Sequence, residues 1–274
     1  MACPDWEESV RRHGFDAYGV CDFSAVSERL LPCRAAARLP AGARRVLALL
    51  FPYRFPDDDP GRNLSRYACV EDYHQAGGRV LRALAEDLAI LWPGRAFEPF
   101  LDNSPLPEVY AAALCGLGVV GDNGLLIHPR YGSYVFIGTI VTDVPLPPTG
   151  GAVAGCPHCG ACAAACPGGC LPGGERGSCL SALSQKKGAL TPEEEEALRR
   201  GGLAWGCDAC QEACPLNRAA VIAPHPCFTW YRPRMTEEDA EDLTGKAYGW
   251  RGKAVPLRNL RLLHIDRNRE GADS

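Results

Sequence analysis

Hydrophobic and polar positions predict helices and strands in turn over the first 150 residues. Three apolar or β-branched runs are typical of strands: RRVLALLF at 44–51, FEPFLD at 97–102 and GSYVFIGTIVTD at 132–143. Helical periodicity marks 6–14, 69–92 and 107–118, and Pro93 and Gly94 end the second of these helices. Such alternation predicts a layered sheet of the mixed α/β (α+β) class.

The domain organisation follows from a break at VPLPPTGGAVAG, residues 144–155, which is rich in proline and glycine. Beyond it, clear periodicity is confined to LTPEEEEALRRG at 190–201, where Thr191 and an acidic first turn predict a capped surface helix. We therefore expect a first domain at 1–148, a second at 149–220 and a short C-terminal extension at 221–274.

Charge and length narrow the class of protein. The chain has 274 residues and a formal net charge of −4, so its overall charge does not indicate nucleic acid or an anionic membrane as a partner. The opening MACPDW has no charged n-region or apolar h-region, and no run of about 18 apolar residues follows it. These features predict a cytoplasmic protein without a membrane partner.

The cysteine content adds metal binding to the predicted class of protein. The chain has 15 cysteines, and most of them lie between residues 156 and 227. Disulfide frameworks belong to small secreted domains, whereas crowded thiols in a reducing compartment are more often metal ligands. CPHCGACAAACP at 156–167 has the spacing CxxCxxCxxxCP, in which three thiolates bind one [4Fe-4S] cluster and the fourth reaches a neighbouring cluster. WGCDACQEACPLN at 205–217 adds three more cysteines.

Two four-ligand sites need an eighth thiolate, for which Cys179 is the best candidate. We therefore predict a bacterial-type dicluster ferredoxin-like domain that binds two [4Fe-4S] clusters. The predicted ligands of the first cluster are Cys156, Cys159, Cys162 and Cys214, and those of the second are Cys166, Cys179, Cys207 and Cys210. Paired CxxC motifs also form structural zinc sites, but such sites do not require a fourth cysteine that binds a neighbouring metal centre.

The other cysteines have plainer interpretations. We interpret Cys170 as a spare thiol, and His158 as a loop residue rather than an iron ligand. Six scattered cysteines are interpreted as small apolar side chains: Cys3, Cys21, Cys33, Cys69, Cys115 and Cys227. Two adjacent clusters form an electron relay. No GxGxxG in a βαβ setting, GxxxxGK[ST] or HExxH supports a dinucleotide site, an ATPase or a zinc protease at its end.

Several motifs, taken in order, resemble the epoxyqueuosine reductase family. They are SRYACVEDYH at 65–74, LDNSPLPE at 101–108, GLGVVGDNGLLI at 116–127, GSYVFIGTIVTD at 132–143, the cysteine runs, WGCDACQ and CPLN. The resemblance covers roughly residues 10–220. It implies that the first domain binds cobalamin base-off, that both clusters pass electrons to cobalt, and that the substrate is epoxyqueuosine in a tRNA anticodon. The product is queuosine, at the last step of its biosynthesis.

The resemblance also implies roles for individual residues. Asp102, the acid of the DxxPxxE motif, lies over the cobalt face as proton donor, a role that suits a carboxyl whose pKa is raised by a dry pocket. Its alternative role is an N-cap for the next helix, although Ser104 can fill that role instead. The implied cofactor contacts are Tyr67, Asp72, Tyr73, His74, Gly118, Gly121 and Asn123. Ordinary packing is the alternative for the aromatic residues, and a plain turn for the glycines.

The sequence departs from the family pattern in three places. Asp122 replaces a common Lys, and Thr139 replaces a common Glu, so the charge of the pocket can differ. Longer members carry C-terminal helical repeats that bind tRNA, and this sequence is expected to be a short member lacking them. Residues 244–269 offer a basic substitute for phosphate contacts, or else a solvated face, through Lys246, Arg251, Lys253, Arg258, Arg261, Arg267 and Arg269 against Asp266.

We therefore predict an iron–sulfur and cobalamin oxidoreductase that acts on epoxyqueuosine in tRNA and receives electrons from a donor such as a flavodoxin or ferredoxin. One alternative keeps both cofactors and changes the substrate to another small molecule. A second alternative, from a different class, is a ferredoxin-like electron carrier whose first domain docks a partner enzyme.

Overall fold

The structure, a computed structural model, describes residues 5–56, 59–173 and 176–270, the last seven by their backbone alone. The strands are β1 Tyr18–Asp22, β2 Arg45–Pro52, β3 Phe97–Leu101, β4 Val119–Val120, β5 Leu126–Ile127 and β6 Val135–Thr142. The helices are α1 Trp6–Arg12, α2 Ser24–Ser27, α3 Tyr73–Leu91, α4 Glu108–Leu114, α5 Ala161–Ala164, α6 Leu180–Ser184, α7 Pro192–Gly201, α8 Ala209–Glu212, α9 Glu237–Glu241 and α10 Ala254–Glu270. Single 3₁₀ turns join several of them.

A four-stranded antiparallel sheet in the order β1-β2-β6-β3 forms the centre of the first half. The central strands β2 and β6 pair from Arg45 opposite Thr142 to Pro52 opposite Val135. The predicted mixed α/β (α+β) class is confirmed, and the three predicted strands lie where the apolar runs placed them. Strand β1 was not predicted, because YGVCD contains a glycine and no run of apolar or β-branched residues.

Two apolar layers cover the two faces of this sheet. Side chains of β2 alternate between them, since successive residues of a strand point to opposite faces. Leu47, Leu49 and Phe51 pack with α1 and α3, whereas Val46, Ala48 and Leu50 pack with α4. The sheet is therefore buried on both faces, which accounts for the continuous apolar run of β2.

Helix α3 begins four residues later than its pattern predicted, because Asp72 caps it by accepting a hydrogen bond from the His74 N–H at 3.1 Å. Gly77 lies where α3 meets the sheet, and a Cβ there would come within 2.9 Å of Leu101. Gly138 of β6 provides the matching space on the sheet, because a Cβ at this position would come within 2.7 Å of Leu81. This close contact fixes the start of α3 beside the end of β3.

The cysteine-rich second half has short helices and packs against the first half. Helix α7 has the predicted capping box, formed by Thr191 and Glu194. Trp205 is fully buried with Leu64, and the two residues form a parallel bridge. Helices α9 and α10 pack on the same apolar cluster through Ala240 and Leu260. Within the described residues, no helix is long and apolar enough to span a membrane.

Candidate functional site

A strained loop between β3 and α4 carries Asp102. Its backbone lies in the left-handed region, at φ +62°, which Asp tolerates better than most residues. The Asp102 N–H donates to the Glu108 carboxylate at 3.1 Å, and Ser104 accepts from the Leu106 N–H at 3.0 Å. Such strain persists only where the surroundings hold it, and it is common at functional sites. The loop presents a carboxylate that is 60% exposed.

His74 lies between two carboxylates. Its Nδ1 is 2.8 Å from Asp72 Oδ1, and its Nε2 is 2.8 Å from Asp102 Oδ2. The imidazole stacks on Tyr73 with the ring centroids 4.0 Å apart, and Tyr73 stacks in turn on Phe136 at 4.0 Å. The start of α3 and the β3–α4 loop thus meet in an Asp–His–Asp chain.

This arrangement separates the pKa values of neighbouring groups. The hydrogen bond from His74 lowers the pKa of Asp102, outweighing its partial burial. Burial alone lowers the pKa of His74, but its hydrogen bonds to Asp102 and Asp72 outweigh burial and raise that pKa to about 9. Burial, together with the Asp102 charge, raises the pKa of Glu108 to about 8. At neutral pH the His74 imidazole is therefore protonated, and so is the Glu108 carboxyl group.

Two expectations about Asp102 need correction. We expected a dry pocket to raise its pKa, but a cationic imidazole beside it does the opposite. The alternative role as helix cap is also wrong, because α4 begins at Glu108 with Pro107 before it and no side-chain cap. The Asp102 carboxylate points to His74 instead.

A wide cleft opens on both sides of Asp102 and Tyr73. One side, about 640 Å³ including its open mouth, is lined mainly by apolar groups of β5 and β6, including Leu126, Val135 and Phe136. The other, about 1010 Å³ including its open mouth, is lined by Tyr67, Asp72, Tyr73, His74, Asp102, Gln185, Ala247 and Trp250. Four of the predicted cofactor contacts, Tyr67, Asp72, Tyr73 and His74, therefore share one cleft with Asp102.

The other three predicted contacts lie on the β4–β5 hairpin, with Gly118 directly before β4 and Gly121 and Asn123 in the turn. A Cβ at Gly118 would come within 2.3 Å of the Ile127 carbonyl, and one at Gly121 within 2.4 Å of Asn123 Oδ1. Packing inside the turn is therefore enough to require both glycines. The Asn123 Nδ2 is buried without a hydrogen-bond partner among the described residues, so it remains available to a bound group.

The same turn closes one side of a thiol-lined cavity of about 330 Å³, a volume that includes its open mouth. All four predicted ligands of the first cluster line it: Cys156, Cys159, Cys162 and Cys214. The structure thus brings together a cysteine of the second patch and three of the first, as the crossover spacing predicted. Four free thiols around one small cavity suit a [4Fe-4S] cluster.

The second predicted set also converges. Burial, together with the charges of nearby Cys207, Cys179, Cys166 and Cys162, raises the pKa of the Cys210 thiol to about 12. Since Cys162 belongs to the first set, the two sites adjoin. The spare Cys170 lies beside this second site, with its Sγ 3.4 Å from that of Cys166.

The remaining cysteines and His158 can also be located. Cys21, Cys69 and Cys115 are buried in the first half, and Cys33 and Cys227 are half-buried, while Cys3 lies outside the described residues. The His158 Nδ1 is 2.7 Å from Asp122, and this pair lies beside Cys156, with the three potential ligand atoms within 4.8 Å of one another. The Asp122 departure therefore faces the first cysteine cavity, whereas Thr139 is buried inside the sheet.

Sequence reasoning missed the polar residues that hold the second cysteine patch in place. Asn217 accepts from the Ser133 N–H at 2.8 Å and donates to the Gln211 carbonyl at 2.7 Å. Gln211 donates to the Ser133 carbonyl at 2.9 Å, and buried Asp208 pairs with Arg62 at 2.6 Å. Their only signal was their place inside WGCDACQEACPLN.

The basic C-terminal stretch is largely engaged within the protein. Lys246 is buried and pairs with Asp239 at 2.8 Å, and Lys253 pairs with Glu241 at 2.8 Å. Arg258 donates to the carbonyls of residues 186 and 188. The side chains of Asp266, Arg267 and Arg269 lie outside the described residues.

Two family models match the chain. Residues 155–217 match a 4Fe-4S double cluster binding domain. Residues 34–103, which include Asp102 and His74, match epoxyqueuosine reductase QueG, DUF1730. The first match spans all eight predicted cluster ligands. The fold and its thiol-lined sites thus define an iron–sulfur protein of the double-cluster class.

Curated relatives narrow the class further. The epoxyqueuosine reductase of Gloeobacter violaceus is 33% identical over 245 residues, which is 84% of this chain and 76% of the relative. That of Lactococcus garvieae is 32% identical over 72% of this chain and 60% of its own length, and that of Escherichia coli is 33% identical over 64% and 47%. The chain belongs to the epoxyqueuosine reductase family. It spans about half to three-fifths of the length of the last two relatives.

Solved structures have the same architecture. A crystal structure of epoxyqueuosine reductase with a tRNA-Tyr epoxyqueuosine-modified stem loop has a TM-score of 0.80 and 25% identity, over 94% of this chain and 80% of that chain. The Bacillus subtilis enzyme, described with its aspartate catalytic loop swung out of the active site, has a TM-score of 0.78 at 25% identity over the same shares. The Streptococcus thermophilus enzyme matches in fold, with a TM-score of 0.77 at 22% identity over those shares.

Proposed function

We propose that the protein is a cobalamin-dependent iron–sulfur reductase that converts epoxyqueuosine to queuosine in tRNA. The observation that carries this proposal is the Asp72–His74–Asp102 chain in an open cleft, within the same fold as two sets of four cysteines. The reaction removes an epoxide oxygen, which requires two electrons and two protons and releases water. The cysteine sites supply the electron path, and the carboxylate–imidazole chain supplies a proton path.

Cobalamin suits the cleft on physical grounds. The two sides of the cleft meet at Tyr73 and Asp102, so a broad flat group can contact both. Apolar groups such as Val135 and Phe136 would face the ring. When bound, cobalamin supplies a strongly reducing centre for the carbon–oxygen bond of the epoxide.

Residues of the protein itself store and transfer the proton. His74 is protonated at neutral pH, and its Nε2 is in hydrogen-bond contact with Asp102. As the carbon–oxygen bond breaks, the epoxide oxygen gains basicity and takes the proton of His74, which passes to it through the Asp102 carboxylate. Asp102 thus remains the proton donor, with His74 as the group that stores the proton. Asp72 holds the imidazole in orientation through Nδ1.

The proposal assigns a task to each part of the chain. Residues 1–148 form the cobalamin-binding and catalytic domain, residues 149–220 the dicluster domain, and 221–274 the extension. The predicted cysteines hold the two clusters. A flavodoxin or ferredoxin supplies electrons at the surface of the dicluster domain. A tRNA substrate places this work in the cytoplasm.

Recognition of tRNA draws its support from the relative solved with an epoxyqueuosine-modified stem loop. The basic stretch at 244–269 gives weaker support, because several of its charges are already paired. A smaller substrate for the same chemistry is therefore the second candidate function. The cofactors and the proton path are the same in both.

One experiment separates these possibilities. The protein is reconstituted anaerobically with iron, sulfide and cobalamin, and is then assayed with a reductant on epoxyqueuosine-containing stem-loop RNA and on the free nucleoside. We expect a co-eluting corrin absorption band and conversion of the RNA. Conversion of the nucleoside alone would support the smaller substrate, whereas a protein that binds no cobalamin would be an electron carrier and would refute the proposal.

A further inference from the structure

The mouth of the cleft carries an exposed tryptophan that the proposed reaction does not use. Trp250 lines the cleft together with His74 and Asp102, yet it is 57% exposed. It lies in the extension, outside every motif that carried the family resemblance. Large exposed aromatic groups at a site mouth are typical of ligand contacts, because leaving them in water is unfavourable.

Backbone contacts hold Trp250 beside the proton chain. The Asp72 N–H donates to the Gly245 carbonyl at 2.8 Å, and Glu71 bridges to Lys246. Lys246 is in turn anchored to Asp239, and the short 3₁₀ turn Gly249–Arg251 follows. The tryptophan is therefore fixed relative to Asp72, the residue that orients His74.

Arg251 completes the arrangement. Its guanidinium carbon lies 3.7 Å from the centroid of the Trp250 ring, so it covers one face of an indole that is largely exposed. Its Nε has no hydrogen-bond partner, and no acidic side chain pairs with it among the described residues. A flat ring with an uncompensated cation beside it matches a nucleotide, whose base stacks and whose phosphate takes the charge.

We propose that Trp250 and Arg251 form a nucleotide-binding site that stacks a base of the substrate RNA next to the reacting nucleoside. This proposal rests on the proposed function for the identity of the RNA. A single-stranded anticodon loop offers unpaired bases on both sides of the reacting nucleoside, and aromatic stacking accepts any of them.

The test measures binding separately from turnover. Holoprotein with its clusters and cobalamin is titrated with an unmodified anticodon stem-loop RNA, and binding is followed by fluorescence anisotropy. Trp250→Ala should weaken binding about tenfold, the loss of one stacked base, whereas Trp250→Phe should lose about threefold or less. Arg251→Gln should make the slope of log K against log salt less negative by about 0.7, the loss of one single-strand phosphate contact.

Trp230 provides a matched control. It also stacks with an arginine, Arg232, at 5.1 Å, but it does not line the cleft. Trp230→Ala should leave RNA affinity within about twofold of the unsubstituted protein. Equal affinities for Trp250→Ala and Trp230→Ala, or no binding of the stem loop by the unsubstituted protein, would overturn the inference.

The cofactor itself is the competing occupant. If Trp250→Ala loses cobalamin while its RNA affinity is unchanged, the indole contacts the cofactor and the inference is wrong. Failure of the proposed function looks different, because holoprotein would then bind the stem loop in a Trp250-dependent way without converting epoxyqueuosine.

Discussion

The thiol-lined sites and the Asp102 cleft are built in different ways. Seven of the eight predicted cluster ligands lie in two short stretches, 156–166 and 207–214, on loops and helical turns of a few residues. The cleft joins residues from the start of α3, the β3–α4 loop, strand β6 and the C-terminal extension. One region depends on spacing along the chain, and the other on where distant elements meet.

The two regions also differ in how they control charge. Around the cysteines, burial and the neighbouring thiols raise the pKa of Cys210, so that a thiolate at this position requires the charge of a bound metal to compensate it. In the cleft, opposite charges already compensate each other, so that the pKa values of Asp102 and His74 move apart. Loss of one thiol therefore removes a metal site, whereas loss of one cleft residue changes the protonation of its neighbours.

The largest effect is expected from a cluster ligand. Cys214→Ser should lower iron from about eight to about four atoms per chain and abolish turnover, because the first cluster loses a thiolate. Iron analysis and the visible absorption of the purified protein measure this. Cys227→Ser, a half-buried cysteine outside both sets, serves as the control and should keep all the iron. Equal iron in the two variants would contradict the assignment.

Next in size is the proton donor. Asp102→Asn should reduce turnover by about 10²–10⁴-fold while iron and cobalamin content stay unchanged, since an amide cannot pass on the proton of His74. Asp87→Asn is the matched control, because Asp87 also bonds a histidine, His13, at 3.0 Å but lies away from the cleft. Near-normal turnover of Asp102→Asn would remove this residue from the mechanism.

The pH profile sharpens the role of His74. Its pKa is raised to about 9, so the imidazole is protonated at neutral pH and loses its proton as pH rises through about 9. Turnover should therefore fall as pH rises through about 9. The His74–Asp102 pair stabilises the fold fully below about pH 6.5, and this stabilisation should be lost as pH rises from there to about 9. His74→Gln should abolish the alkaline fall in turnover, and an unchanged fall in this variant would assign it to another group.

The smallest effect is expected from Glu108. Its pKa of about 8 means that unfolding releases a proton between about pH 4.5 and 8, so stability falls as pH rises through that window. Glu108→Gln should abolish this fall and raise Tm at pH 8.5 by roughly 2–4 °C. Thermal scans at pH 5 and 8.5 test this, with exposed Glu86→Gln as control. A Tm gain of equal size at both pH values would contradict the burial argument.

The sequence predicted strands β2, β3 and β6, the capped helix α7 and the convergence of Cys214 with the first cysteine run. These features depend on local pattern or on a fixed ligand spacing, which survive without tertiary information. It did not predict the docking roles of Asp208, Gln211 and Asn217. Their hydrogen bonds cross to Ser133 and Arg62, about 80 to 150 residues away in the chain.

The sequence by itself determined the groups from which the proposed chemistry is built: eight thiols in a crossover pattern, and an acid in a family motif. The tertiary structure decided which carboxyl carries a proton, because pKa values depend on burial and on neighbours that only folding brings together. It also placed Trp250 at the cleft mouth, far in sequence from Asp102. The spacing of ligands is a property of the sequence, whereas the electrostatic surroundings of a side chain exist only after the chain has folded.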